Sequence, residues 1–305
     1  MKTTVFTFWE PRGAIIPYVR LCMKTWGIAF KGHDVVVLDY SSLSDYLGEA
    51  PYDMEAFRRL TLPIQKDAIM VAVLRKNGGV FIDADTLAVR DIAPLVDTLS
   101  HTEVVMFSMH MAVVAARPNA RLLNGWYAGI REKLVTLARE KDSPVPWDFA
   151  GNSVLTATME AIVDTHENKP FPIAVADRAV DWLKTSSAPD RAGAALSPLM
   201  NAVVRRRRAL YFRSMYRKYL TMLDRDAHGF IPEELYYRDA VLDSREKYRR
   251  YWFQSDAGLD TVLLPNQTLI GLHHAWTPEW YKQLSEAEVL AHPCLLSRTL
   301  RHLLQ

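Results

Sequence analysis

Cysteine is scarce: Cys22 and Cys294 are the two thiols of the 305-residue chain. They show neither a pairing pattern nor ligand spacing, which excludes a disulfide scaffold and fits a reducing compartment. Long apolar runs are missing as well. No stretch approaches the roughly eighteen apolar residues that span a bilayer, and the opening MKTTVFTFWEPRG has too short an apolar run for a signal peptide, so a cytoplasmic protein is expected. Charge of one sign is lacking too. With 37 basic and 35 acidic side chains, net +2, there is no bulk electrostatic drive toward nucleic acid, and any cationic surface must be local. Neither a repeat of solenoid period nor a low-complexity segment is present. What the chain does have is apolar residues, at 49%, ample for one large α/β domain or two small ones.

The chain is organised around Pro63 to Asp91, PIQKDAIMVAVLRKNGGVFIDADTLAVRD. Pro63 suits the first turn of a helix, where its missing N–H has no partner to lose. Ile64, Ala68, Val71, Ala72 and Arg75 follow at helical spacing. Asn77, Gly78 and Gly79 stop that helix, because glycine enters the left-handed conformation at little cost. Val80, Phe81 and Ile82 form an unbroken apolar run, as in a strand covered on both faces. Asp83 and Asp85 come where that strand ends, the place where open α/β sheets bind ligands. Extended alternation sends both to one side.

Two neighbouring carboxylates repel unless something positive sits beside them, which suits a divalent cation. Mg²⁺, and Mn²⁺ by similar preference, is held by one or two carboxylates together with a substrate's phosphates. The pair thus points to a metal-bridged phosphate ligand. An Asp-x-Asp by itself is weak, since about one is expected by chance in a chain this long. A second one, Asp224-Arg225-Asp226, follows a basic stretch with no strand before it and reads as a solvated helix end. The pair alone does not separate a metal site from a polar strand exit.

Elsewhere Thr4–Trp9 reads as a first strand, Ile16–Trp26 as a helix and Asp34–Asp39 as a second strand, an order that favours a parallel sheet. Trp9, at the strand exit, can stack on a nucleotide base or close the end of the core. Val104–Phe107 and Met111–Ala116 read as strands, and a helix covers Leu122–Leu137. Trp147 to Ser153 opens another helix through Glu160, with Asn152 or Ser153 as N-cap. Capping has no evident need of Asp148, so its carboxylate is a candidate functional acid. Residues 185–200 form a Ser-, Ala- and Pro-rich boundary. Beyond it Arg205, Arg206, Arg207, Arg208, Arg213, Arg217 and Lys218 interleave with aromatics. Ala209, Phe212, Tyr216, Leu220 and Leu223 share a helical stripe. Such a helix can lie on an anionic membrane or dock on its own domain. Tyr236–Phe253 reads as helical and Val262–Leu264 as a short returning strand. His273-His274 and Trp276 follow in HHAWTPEW, where imidazole is an accepted metal ligand. The expected division is a core over 1–200, a basic aromatic helical insertion over 201–255, and a return to the core with a terminal helix over 256–305.

The run DAIMVAVLRKNGGVFIDADT resembles the segment bearing the acid pair in the capsular polysaccharide synthesis and DxD sugar-binding glycosyltransferases, which include initiating α-mannosyltransferases of fungi. The opening TFW and the closing HHAWTPEW resemble that family's first strand and closing His-His and Trp segment. The resemblance implies a GT-A fold, a mostly parallel central sheet flanked by helices, here with helical C-terminal additions. It implies that Asp83 and Asp85, completed by His273 or His274, hold Mn²⁺ or Mg²⁺ on the diphosphate of a UDP- or GDP-sugar. Phe8, Trp9, Asp67, Gly79, His274 and Trp276 then surround the donor, Trp9 against the base and Asp67 at the sugar or ribose. One departure is Met70, where the family usually carries arginine. The implied activity is sugar transfer, with retention of configuration, to a glycan or lipid-linked acceptor in capsular polysaccharide or lipopolysaccharide synthesis. Asp148 is then an acid near the acceptor, and the protein sits peripherally on the cytoplasmic face of the inner membrane.

Two rival readings use the same residues. VFIDADT also suits a haloacid-dehalogenase-type phosphohydrolase with Asp83 as nucleophile and Asp85 as acid/base, although no Gly-Asp pair of downstream acids follows. A non-enzymatic reading makes the basic helix primary, in a protein that binds membranes or polysaccharide.

Overall fold

The computed structural model describes residues 2–107, 110–140, 144–164, 218–223, 243–265 and 267–305. Eight strands lie among them: β1 (Thr4–Phe8), β2 (Asp34–Leu38), β3 (Gly79–Ile82), β4 (Thr86–Ala88), β5 (Val104–Phe107), β6 (His110–Ala116), β7 (Leu220–Leu223) and β8 (Leu269–Gly271). Six form a central sheet in the order β2-β1-β3-β6-β5-β7. β1 is parallel to β2 and β3, and β5 is parallel to β7, while β6 runs antiparallel between β3 and β5. The sheet is therefore mostly parallel, with β6 its one reversed strand. β4 and β8 make a separate antiparallel ribbon, Thr86 opposite Gly271.

Alternation along the strands divides the core into layers. Phe6, Phe81 and Val114 pack on one face against the Leu62–Asn77 and Arg121–Arg139 helices. Val5, Val80, Ile82 and Val113 pack on the other with Trp26 of the Pro17–Ala29 helix, its C-cap Phe30, and Leu95 of the Ala93–Thr98 helix. A third apolar cluster joins Tyr18 and Leu21 to Trp252, Ile270, Tyr281 and Leu296, and so holds the C-terminal helices on the Pro17–Ala29 helix and the β4–β8 ribbon.

The Leu62–Asn77 helix is buried around much of its circumference. Every residue from Ala68 to Leu74 is buried, more than the single stripe expected, because the sheet covers one side and the Arg121–Arg139 helix another. It ends as the sequence implies: Gly78 and Gly79 adopt φ of 67° and 101°, and the Gly78 N–H donates to Leu74 C=O at 2.8 Å. That two-glycine reversal sends β3 back along the helix, and the helix start meets the strand end.

Two expectations need correction. Leu220 and Leu223 are not on a helical stripe, because Leu220–Leu223 is the edge strand β7; a short apolar run suits either element. Val262–Leu264 is no strand. A 3₁₀ turn covers Leu259–Thr261, and the chain returns to the β structure at Leu269–Gly271. Arg205–Arg208, the 185–200 boundary and Asp224–Asp226 lie outside the described residues. Among the described residues no helix is long and apolar enough to cross a membrane.

Candidate active site

β3 stops at Ile82, and the acids ride on a tight turn instead of an extended strand. The Asp83 N–H donates to Ala112 C=O at 2.7 Å, the last bond toward β6, and the Thr86 N–H closes the turn on Asp83 C=O at 3.0 Å. Extended alternation therefore does not set the directions of their side chains, and the two carboxylates have different partners. Asp83 Oδ1 accepts from Lys66 Nζ at 2.7 Å. Asp85 Oδ2 accepts the backbone N–H of His274 at 2.7 Å. They remain close enough to repel. Burial first, then the Asp83 charge, raise the Asp85 carboxyl to about 7, against the lowering effect of the His274 N–H.

Asp67 is brought to the same place by the helix. Its carboxylate pairs with Lys66 Nζ at 2.7 Å, so one ammonium bridges Asp67 and Asp83. Burial disfavours the Lys66 charge, but the two acids outweigh it and hold the ammonium above the ordinary lysine value. Burial also raises Asp67, offset by Lys66 and reinforced by Asp83 and Asp148. Met70 is wholly buried in the core; Lys66 is the cation beside these acids.

The His273–Trp276 turn packs against the acid turn because β4 and β8 pair. Its contribution to Asp85 is a main-chain N–H, while the His274 imidazole bonds the Tyr18 hydroxyl at 2.7 Å. Burial, followed by Lys282, lowers His274 to about 4, which keeps the ring neutral. Trp9 meets His274 edge-on at 5.6 Å, and His273 lies 4.1 Å from Trp276 between ring centres. The Tyr248 hydroxyl accepts the His273 N–H at 3.3 Å and anchors the turn from below. Among the described residues no three His, Cys, Asp or Glu side chains gather to hold a metal ion. The expected four-residue set of Asp83, Asp85, His273 and His274 is therefore not assembled as side-chain ligands.

Two further expectations change. Gly79 lies at the opposite end of β3 from the acids, about 13 Å away at strand rise. A Cβ there would stand 2.5 Å from Thr4 C=O: the glycine is required for close approach to β1 and is remote from the proposed donor site. Asp148 does serve capping. Its Oδ2 accepts the Ser153 N–H at 3.0 Å, and its C=O accepts the Ser153 hydroxyl at 2.8 Å, at the start of the Asn152–Asp164 helix. Its charge still reaches Asp67. Phe8 is buried against Tyr40, 5.5 Å between ring centres, and so forms the floor at the end of β1.

Lys66, Tyr18 and Tyr248 were missed in the sequence. The signal for Lys66 was its place beside Asp67; nothing local marks the tyrosines, which reach the site only through folding.

No family model and no curated protein matches the chain. Among solved structures, one described as "PaToxG Glycosyltransferase" is similar at a TM-score of 0.37 and 12% identity, covering 69% of this chain and 87% of that one.

Proposed function

We propose that this chain is a metal-dependent glycosyltransferase that moves a sugar from a UDP- or GDP-sugar to a glycan or lipid-linked acceptor in bacterial surface polysaccharide synthesis, with retention of configuration. The observation that supports it is the acid turn: two carboxylates beyond the carboxyl end of a central parallel strand, one only 9% exposed, with Trp9 and Asp67 alongside. The donor set suits Mn²⁺ or Mg²⁺ in the mode where one or two carboxylates share the ion with substrate phosphates. Asp83 and Asp85 would hold it, and once bound it would supply Lewis-acid stabilisation for the departing diphosphate.

The chain's own residues do the rest. Asp85 is oriented by the His274 N–H, and Asp83 by Lys66. Trp9, edge-on to His274, offers a ring for the base. Asp67 is an acceptor for a sugar or ribose hydroxyl, and Asp148 stands as the acid on the acceptor side. Asp85→Ala should abolish transfer while the protein stays folded; transfer at the parent rate would remove the assignment. A thermal-shift panel of nucleoside diphosphates should show stabilisation by UDP or GDP with Mn²⁺ and none without the ion. The Arg205–Arg208 run is proposed to face an anionic membrane. Changing these four to glutamate should abolish binding to anionic vesicles, and unchanged binding would refute that part.

A further inference from the structure

We infer that Lys66 is a diphosphate-contacting residue, a fixed ammonium that prepares the acid turn for an anionic ligand; this rests on the donor reading above. An ammonium has three N–H donors. Asp83 Oδ1 accepts one of them at 2.7 Å, while Asp67 Oδ1, 2.7 Å from Nζ, is an ion-pair partner that accepts no hydrogen bond. A further N–H donor therefore has no protein partner among the described residues. The side chains of Lys66 and Asp83 keep 17% and 26% exposure, so this corner of the site is open enough for a ligand to reach that donor.

Charge gives the same answer. Asp67, Asp83 and Asp85 carry three negative charges when ionised, and Lys66 carries one positive charge. A divalent ion then brings the group to neutrality, and a diphosphate can approach without net repulsion. Without the ammonium, the ion-loaded group would keep one negative charge. Lys66 also competes with the ion, because both use Asp83. Its loss should therefore move two affinities in opposite directions: weaker for the anion, no weaker for the bare metal. A residue that merely pinned helix to turn would weaken both.

The test is calorimetric titration of the full chain and of Lys66→Met with manganese pyrophosphate, UDP and GDP, with Mn²⁺ alone followed by electron paramagnetic resonance. Lys66→Met should lose roughly tenfold or more in affinity for the diphosphates, the worth of a charge-assisted hydrogen bond, with Mn²⁺ affinity equal or higher. Lys66→Arg should stay near the parent. Because Lys66→Met leaves Asp67 buried without its ion pair, the same comparison is also made between Asp67→Asn and the double variant, which remove that penalty. Unchanged diphosphate affinity, or a parallel loss of Mn²⁺ affinity, overturns the inference. A parent that binds manganese pyrophosphate but neither UDP nor GDP overturns the donor reading alone. A parent that binds none of the three overturns both.

Discussion

Burial beside Asp83 makes the charge of Asp85 costly, and the cost has a pH signature. Its carboxyl titrates at about 7 in the folded protein, against roughly 3.9 in an unfolded chain. A raised folded value means stability that is fully present below the unfolded value and is lost as pH rises from about 4 to 7. Asp85→Asn keeps an acceptor for the His274 N–H but cannot ionise. In metal-free buffer the variant should unfold at a higher temperature than the parent at pH 8, with the advantage gone at pH 4. A constant difference over that range would contradict the burial account. His274 works in the other sense: lowered to about 4, it removes stability as pH falls from about 6.5 toward 4, and it does so equally in parent and variant. Manganese nucleotide binding should weaken by about tenfold per pH unit below 7, because the ion needs the carboxylate.

At the scale of elements, the helix, two-glycine reversal, buried strand and acid pair were legible in the sequence because each depends on local residue types. Pro63 starts the helix, Gly78 and Gly79 turn the chain, and Val80 to Ile82 are fully buried. The purpose of Gly79 was not legible, since a glycine needed for φ looks the same as one needed by a ligand. Gly79→Ala should cost at least about 1–3 kcal/mol for the φ alone, with the contact to Thr4 C=O added. A urea midpoint within error of the parent would show that the reversal relaxes freely. Asp148 is a second case where geometry added a role. Asp148→Ala should lower stability by about 1 kcal/mol through the helix start; no change in the urea midpoint would show that the Ser153 contact contributes nothing. The helix misassigned through Leu220 and Leu223 failed for a different reason: pairing with β5, remote in sequence, selects the strand.

Across the whole molecule, the site exists because distant segments converge. The ribbon of β4 and β8 joins Thr86 to Gly271, so a main-chain N–H at His274 reaches Asp85. Sequence can nominate HHAWTPEW for its residue types, but it cannot reveal that the backbone and not the imidazole meets the acid. Reversal of β6 was equally hidden, because its residues His110–Ala116 would read alike in either direction. The central claim is that Asp83 and Asp85 clamp a divalent ion on a nucleoside diphosphate. Anomalous diffraction at the manganese edge, from crystals soaked with Mn²⁺ and UDP or GDP, tests it most directly. The account predicts a single strong peak within coordination distance of both carboxylates, bridged to the diphosphate. A peak elsewhere, or bound nucleotide with no ion at that turn, would contradict it.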